Sequence, residues 1–413
     1  MTMSISVVYG WGSMAPRDLY LAAKRNDVRV SVVVPETEHG TVMLPVLADL
    51  FPTYVAKSPS DVLAVAPHLR GSSAMVTFSE ELIAWTARAA AVLGIRHTAE
   101  QDIPSIVDKT AQRERLALAG VPCPAFVRVT DAEELARVPD RLGFPFVVKP
   151  AVGGGSRGTF RVGNVAELKA VTLDLLHPDV SSVGEGFIAE SELIGRPTPS
   201  PWGDYVAVDV ASIGGTTTTL TMLGKLRLDP PFRERGAFAP WTLDEHDAEE
   251  AVTVAHDAVR ALSIENGIGC VEMKLTVDGP RVIEVNGRLG AWGDWCMASA
   301  FGNSALDAFF AALKGQEQSR GVSRKVAYAY VVNPPLGRTR LKSVDRESLR
   351  ELPGVASLKM TARPGEELDS RLGSRAAVAA IYGEAMNHKT FAELVQVIEV
   401  GELITYDGSM KVK

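Results

Sequence analysis

Between Cys270 and Arg288 the chain reads CVEMKLTVDGPRVIEVNGR, two alternating apolar and polar runs on either side of Asp278-Gly279. A period of two sends successive side chains to opposite faces of a strand, and Asp-Gly between two such runs marks a hairpin. Register is the constraint, because a slip of a single residue moves a whole side-chain set to the other face. A two-residue Asp-Gly loop would pair Val277 with Pro280 and leave Glu272 and Glu284 on different faces. A longer loop, Val277 to Gly279 with Gly279 left-handed, pairs Thr276 with Pro280. Glu272 then faces Glu284, Asn286 shares their face, and Val271, Met273, Leu275, Ile283 and Val285 share the other. The apolar pattern favours the longer loop.

Two carboxylates set opposite each other repel, so one is protonated or a cation compensates; the alternative is a pair of exposed acids splayed into solvent. Two acids and an amide form an all-oxygen set suited to Mg2+, with Mn2+ as a substitute. Such ions bind through one or two carboxylates together with substrate phosphates. Arg288 continues the same face, where a guanidinium can stabilise developing negative charge.

A second constraint lies upstream. The apolar run Phe144–Val148 reads as a strand buried on both faces, and it delivers Lys149 at its end. Gly153, Gly154, Gly155, Ser156, Arg157 and Gly158 follow. Such a loop can bring backbone N–H groups against a phosphate with few Cβ atoms in the way, and the Lys149 ammonium adds a mobile point charge. The plain alternative is a flexible hairpin tip. No Gly-Lys-Ser/Thr opens a helix here, so this is not a Walker A loop. Further on, FIAESELIG is a strand with Glu190 and Glu192 on one face, and Asp204 heads another strand after a Pro/Gly-rich passage.

The first third alternates short β-branched runs (SISVVYG, VRVSVVV, AMVTF) with helix-like stretches (PRDLYLAAKR, EELIAWTARAAAVLG), which argues for a parallel sheet covered by helices. Gly10–Ala15 matches GxGxxA and admits a dinucleotide-binding reading, with Glu36 or Glu38 as the ribose acid. The pattern alone is weak, and we read a tight strand-to-helix turn. The 413 residues allow two or three domains, and a net charge of -7 disfavours a general nucleic-acid binder. No run is long and apolar enough for a membrane span, and the first residues lack the pattern of a signal peptide. The three cysteines, Cys123, Cys270 and Cys296, are too scattered for a disulfide frame or a CxxC metal site, which fits a reducing cytoplasm.

The order Lys109, Lys149, glycine loop, acid-bearing strand, Glu272 and then E-V-N-G-R resembles the ATP-grasp enzymes. Within that superfamily the chain is most similar to carboxylate–amine ligases, particularly the bacterial L-amino-acid ligases that make dipeptides. The resemblance implies an α/β chain, α+β in its C-terminal half. It would comprise a Rossmann-like pre-ATP-grasp domain over 1–108, a central subdomain with a glycine-rich lid over 109–187, and a C-terminal subdomain over 188–413. It implies ATP and Mg2+ as cofactors. Lys109 and Lys149 would hold the phosphates, with Gly154, Gly155 and Ser156 closing over them. Glu190 and Leu193 would sit at the adenine hinge and Asp204 near the ribose. Glu272 and Glu284 would bind the metal, with Asn286 supporting. Arg288 would steady the acyl phosphate and tetrahedral intermediate, Trp292 would wall the substrate pocket, and Glu80 would lie near the substrate amine.

In the stretch LDPPFRERGAFAP the expected catalytic Glu234 is present, but Ala237 stands where such ligases usually carry histidine. The implied reaction joins a small carboxylic acid, an amino acid, to an amine in a soluble homodimeric enzyme. The rivals are an ATP-grasp carboxylase or purine-type amide former, a nucleotide-binding module without catalysis, and an oxidoreductase built on Gly10–Ala15.

Overall fold

The computed structural model describes residues 3–175, 186–319 and 321–407. Its first sheet is parallel, with strands in the order Thr53–Ala56, Val28–Pro35, Met3–Val8, Ala74–Thr77. Ile5, Val7, Val30 and Val32 are buried there beneath the helices Pro16–Arg25 and Glu38–Leu50. The Gly10–Ala15 stretch is the turn into the first of these helices, and Ser13 N donates to Phe78 O at 2.9 Å. That bond brings the turn beside the segment carrying Glu80. Glu36 lies at the surface, 3.7 Å from Lys57.

The second sheet is antiparallel, in the order Phe126–Val129, Phe187–Ser191, Phe146–Pro150, Phe160–Val162. Leu135, Val138 and Leu168 from the helices Ala132–Leu142 and Val165–Leu175 pack on its Phe146, Val148 and Val162. Phe187–Ser191 pairs in the interior of this sheet, so the chain leaves it after Ser191.

The remaining chain carries an eight-stranded antiparallel sheet. Its order is Gly279–Asn286, Gly267–Thr276, Trp202–Ile213, Thr216–Leu226, Gly236–Ala239, Val326–Val332, Ala379–Ala385, Val355–Met360. The helix Glu245–Ala261 lies against it; its inward Ala251, Ala255 and Ala258 are small enough to let Val208, Met222, Val271 and Met273 approach closely. Among the described residues no single helix is long and apolar enough to cross a membrane.

The hairpin reaches the expected facing of Glu272 and Glu284 by a different route. Its loop is the shorter Val277-Asp278, with Thr276 paired to Gly279 and Leu275 to Pro280. Gly279 has φ 97, and the Thr276 hydroxyl donates across the turn to Gly279 O at 2.8 Å. The tight turn alone would put the acids out of register. A bulge between Met273↔Val282 and Glu272↔Glu284 inserts Ile283 and restores it. Bulges are common on sheet edges and re-aim side chains; here Val282 takes the core place expected for Ile283, and Ile283 turns toward a cleft.

The outer edge of this strand is covered by the helix Lys109–Leu118 and the loop that follows it. Gln112 Nε2 donates to Val285 O at 2.8 Å, while Gln112 Oε1 accepts from Val285 N at 2.9 Å. Val282 N donates to Pro122 O at 2.8 Å. Gln112→Leu leaves a buried N–H and C=O without partners, so urea unfolding should show a loss of about 1–3 kcal/mol per orphaned group.

Candidate active site

A cleft of about 940 Å3, open solvent included, lies between the second sheet and the hairpin. Lys109, Lys149, Gly154, Ser156, Glu190, Leu193, Glu234, Glu272 and Glu284 all line it.

Lys109 is placed by a helix cap. Asp108 accepts from the backbone N–H of Thr110 and Ala111 at 2.7 and 3.1 Å, which starts the helix at Lys109. The Lys109 ammonium stands 2.9 Å from Glu284 Oε1 and also donates to Gly153 O. It therefore ties the hairpin to the start of the glycine-rich loop. Ser156 Oγ donates to Phe232 O at 2.8 Å, fixing the loop on its other side.

Glu190 is ion-paired through both oxygens, with Arg113 Nε at 2.9 Å and Lys149 Nζ at 2.8 Å, although the Arg113 contact lacks hydrogen-bond geometry. Burial would raise its pKa, but the two cations outweigh burial and hold the carboxyl below its ordinary value. Lys149 is thus held by a buried acid at the strand end. Sequence reasoning missed Arg113, although Lys109, Gln112 and Arg113 are spaced for one helix face.

The facing acids differ. Burial would raise Glu284, yet Lys109 and Lys149 bring it below its ordinary value. Glu272 is pushed up to about 7 by burial and by Glu234 and Glu284, against the pull of Lys225. Lys225 is the second missed residue. It is buried and ion-paired with Glu234, and its ammonium sits 5.3 Å from the Trp292 ring centroid and 5.7 Å from that of Tyr205. Burial would lower its pKa, but Glu234 and Glu272 raise it, so the group stays cationic. Its signal was a lysine within a strand whose Leu220, Met222, Leu223 and Leu226 are all buried.

Other expected residues stand away from the cleft lining. Arg288 Nε lies 3.1 Å from Glu80 Oε2, joining the segment after Ala74–Thr77 to the end of the hairpin. Asp209 Oδ1 accepts from Gly290 N at 2.7 Å and holds the turn that follows. Asn286 is buried opposite Cys270. Asp204 is bound by Lys274 at 2.6 Å, and it is Lys274 that reaches the cleft. Gly155 directs its carbonyl to Ser374 N at 2.9 Å. Trp292, with φ 67, caps the helix Gly293–Phe301 and stacks under Lys225 as described. Ala237 is buried in an apolar cluster with Leu223, Cys296 and Met297, so the place expected for histidine offers no polar side chain. His256 is half-buried, with both ring nitrogens 2.8 Å from the hydroxyls of Thr217 and Thr219.

The whole architecture matches that of the L-amino acid ligase from Bacillus licheniformis, with TM-score 0.74 over 98% of both chains at 19% identity. This is an ATP-grasp fold. A similar match, TM-score 0.70 over 97% of both chains at 16% identity, is found to an N5-carboxyaminoimidazole ribonucleotide synthetase in complex with ADP. Residues 116–195 of the ATP-grasp chain match the family described as D-ala D-ala ligase C-terminus. An uncharacterized protein (y4rH) of Sinorhizobium fredii is 31% identical over 273 residues, 64% of this chain and 54% of that protein. The D-alanine–D-alanine ligase of Corynebacterium glutamicum is 31% identical over 189 residues, 44% and 50% of the two chains. The alanine–anticapsin ligase of Bacillus subtilis is 26% identical over 238 residues, 54% and 49%. The chain thus spans about half the length of these curated relatives.

Proposed function

We propose that the chain is an ATP-dependent carboxylate–amine ligase, joining the carboxylate of an amino acid to an amine through an acyl phosphate and releasing ADP and phosphate. The observation that carries this reading is Glu272 facing Glu284 in a cleft that also holds Lys109, Lys149 and the glycine-rich loop. The names of the relatives support the substrate class, as they include ligases of alanine and of L-amino acids.

The acid pair fits a divalent cation. Glu272 and Glu284 concentrate hard oxygen donors, and the charge of Glu284 helps to raise the Glu272 carboxyl. Among the described residues no third His, Cys, Asp or Glu completes a metal cluster. That suits Mg2+ or Mn2+, whose remaining ligands come from substrate phosphates and water. When bound, the ion offsets charge on the transferring phosphoryl oxygens. Lys109 and Lys149 each have three N–H donors, enough to hold phosphate oxygens while keeping their carboxylate partners. The backbone after Glu190, through Leu193, supplies the adenine edge.

A carboxylate oxygen of the acid attacks the γ-phosphorus, the bond to the β-phosphate oxygen breaks, and ADP leaves. The amine then attacks the acyl carbon, and phosphate departs where a bare carboxylate would have to expel hydroxide. Arg288, oriented by Glu80, stabilises the oxyanion of the tetrahedral intermediate. Lys225 and Glu234, beside Trp292, border the acyl side. Unpaired Cys123, Cys270 and Cys296 accord with a cytoplasmic enzyme.

The test is a screen for ADP and phosphate release over pairs of amino acids, single acids and amines, with mass spectrometry of the products. A condensed amide formed with ADP is expected. ADP release that depends on bicarbonate and yields no condensed product would replace this reading with a carboxylase, which the apolar setting of Ala237 keeps in view. Arg288→Ala should lower kcat by about two to three orders of magnitude, the usual loss for one oxyanion donor. ADP affinity in that variant, measured by calorimetry, should stay within about twofold because the guanidinium acts only on the reacting acyl group.

A further inference from the structure

The glycine-rich loop is gripped by a segment that the proposed chemistry does not use. Ser374 N, in the turn Ser370–Ala376, donates to Gly155 O at 2.9 Å, and Gly158 N donates to Arg371 O at 3.1 Å. The approach is close enough to require glycine at position 373. Gly373 has φ 59, and a Cβ there would stand 1.9 Å from Gly155 O and 2.8 Å from Arg157 N. The Arg371 backbone is itself braced, its N–H donating to Asp369 Oδ1 at 3.0 Å.

The same turn reaches the first sheet. Arg375 Nη2 donates to Glu81 Oε1 at 2.8 Å, and its guanidinium lies 5.9 Å from the Trp11 ring centroid. Trp11 sits in the Gly10–Ala15 turn, and Glu81 directly follows Glu80, the partner of Arg288. One short turn therefore touches both the loop over the proposed phosphate site and the segment carrying Glu80, whose partner Arg288 serves the proposed acyl group.

We infer that Ser370–Ala376 is a latch, in which Gly373, Ser374 and Arg375 position the glycine-rich loop and couple its closure to the acyl site proposed at the Glu80–Arg288 pair. The inference rests on the nucleotide site proposed above. A loop closed for only part of the time weakens nucleotide binding in proportion to the closed fraction. Coupling is reciprocal for binding, so occupation of either site favours the other.

Hydrogen–deuterium exchange at residues 153–158 should be compared in the nucleotide-free protein, Gly373→Ala and Arg375→Ala. Mg2+-ADP titrations of all three follow. Both variants should exchange faster at the loop and bind ADP about tenfold more weakly, as a loop closed for a tenth of the time would. Arg375 is half exposed, so Arg375→Ala should keep the parent's melting temperature and carries the test if Gly373→Ala does not fold. Arg375→Lys should recover part of the protection. Loop exchange equal to the parent in Arg375→Ala, or in a folded Gly373→Ala, overturns the latch. Failure of the parent to bind ADP would instead refute the nucleotide site, and the exchange comparison would still decide the latch.

Discussion

Glu284→Gln is expected to reduce ADP release by about two to three orders of magnitude or more, the scale of losing one electrostatic contact to the reacting group. The amide keeps the shape of the side chain and removes its charge. Three relationships change together: the acid facing Glu272 disappears, Lys109 loses its 2.9 Å partner, and the proposed divalent-ion site loses one of its two carboxylates. The measurement is steady-state ADP release against Mg2+ concentration. In the parent a chelator should abolish release and added Mg2+ or Mn2+ should restore it; in Glu284→Gln no Mg2+ concentration should recover the parent rate. Full turnover in the variant would mean that the facing acids are not the metal site.

Glu190→Gln should be the most destabilising conservative change at the site, by about 3–5 kcal/mol in urea unfolding, because it strands two buried cations. Arg113 has no exposed side-chain surface, and Lys149 is nearly as enclosed. The pH dependence follows from the lowered carboxyl. A depressed folded pKa lends stability that is complete above the unfolded value of about 4.3 and is lost as pH falls through the folded value. The parent should therefore lose stability on that acid limb, and Glu190→Gln should lose less there while being weaker at neutral pH. Identical acid limbs in the two proteins would show that Arg113 and Lys149 do not hold Glu190 ionised.

These expectations rest on contacts of differing legibility. The parallel first sheet could be read from alternating β-branched and helical stretches, and the strand delivering Lys149 from its apolar run. The facing of Glu272 and Glu284 was also readable, though not how it arises. Local periodicity favoured a longer loop, whereas the chain closes a tighter turn through the Thr276 hydroxyl and recovers register with a bulge. A bulge adds a single residue to one strand and leaves no compositional mark, so Ile283 was assigned to the core that Val282 occupies.

Arg113 illustrates a second limit. Its helix face was available from spacing, but its partners, Glu190 and the Ile283 carbonyl, lie on two other strands. Lys225 carried no meaning in its own strand, because Glu234, Trp292 and Tyr205 come around it only in the fold. The ion pair between Asp204 and Lys274 was likewise not legible, since the two lie on different strands 70 positions apart.

Side-chain alternation, the glycine cluster and the order of lysines and acids were enough to establish the strand pattern, the glycine-rich loop at the end of the Lys149 strand and the acid pair, since each depends on neighbours within a few residues. Only the tertiary structure decided which cation each buried acid would hold, how the hairpin regained its register, and that residues 370–376 would grip a loop more than two hundred positions earlier. Those outcomes depend on charge pairing, packing and backbone bonds between distant segments, and chain folding alone brings those segments together.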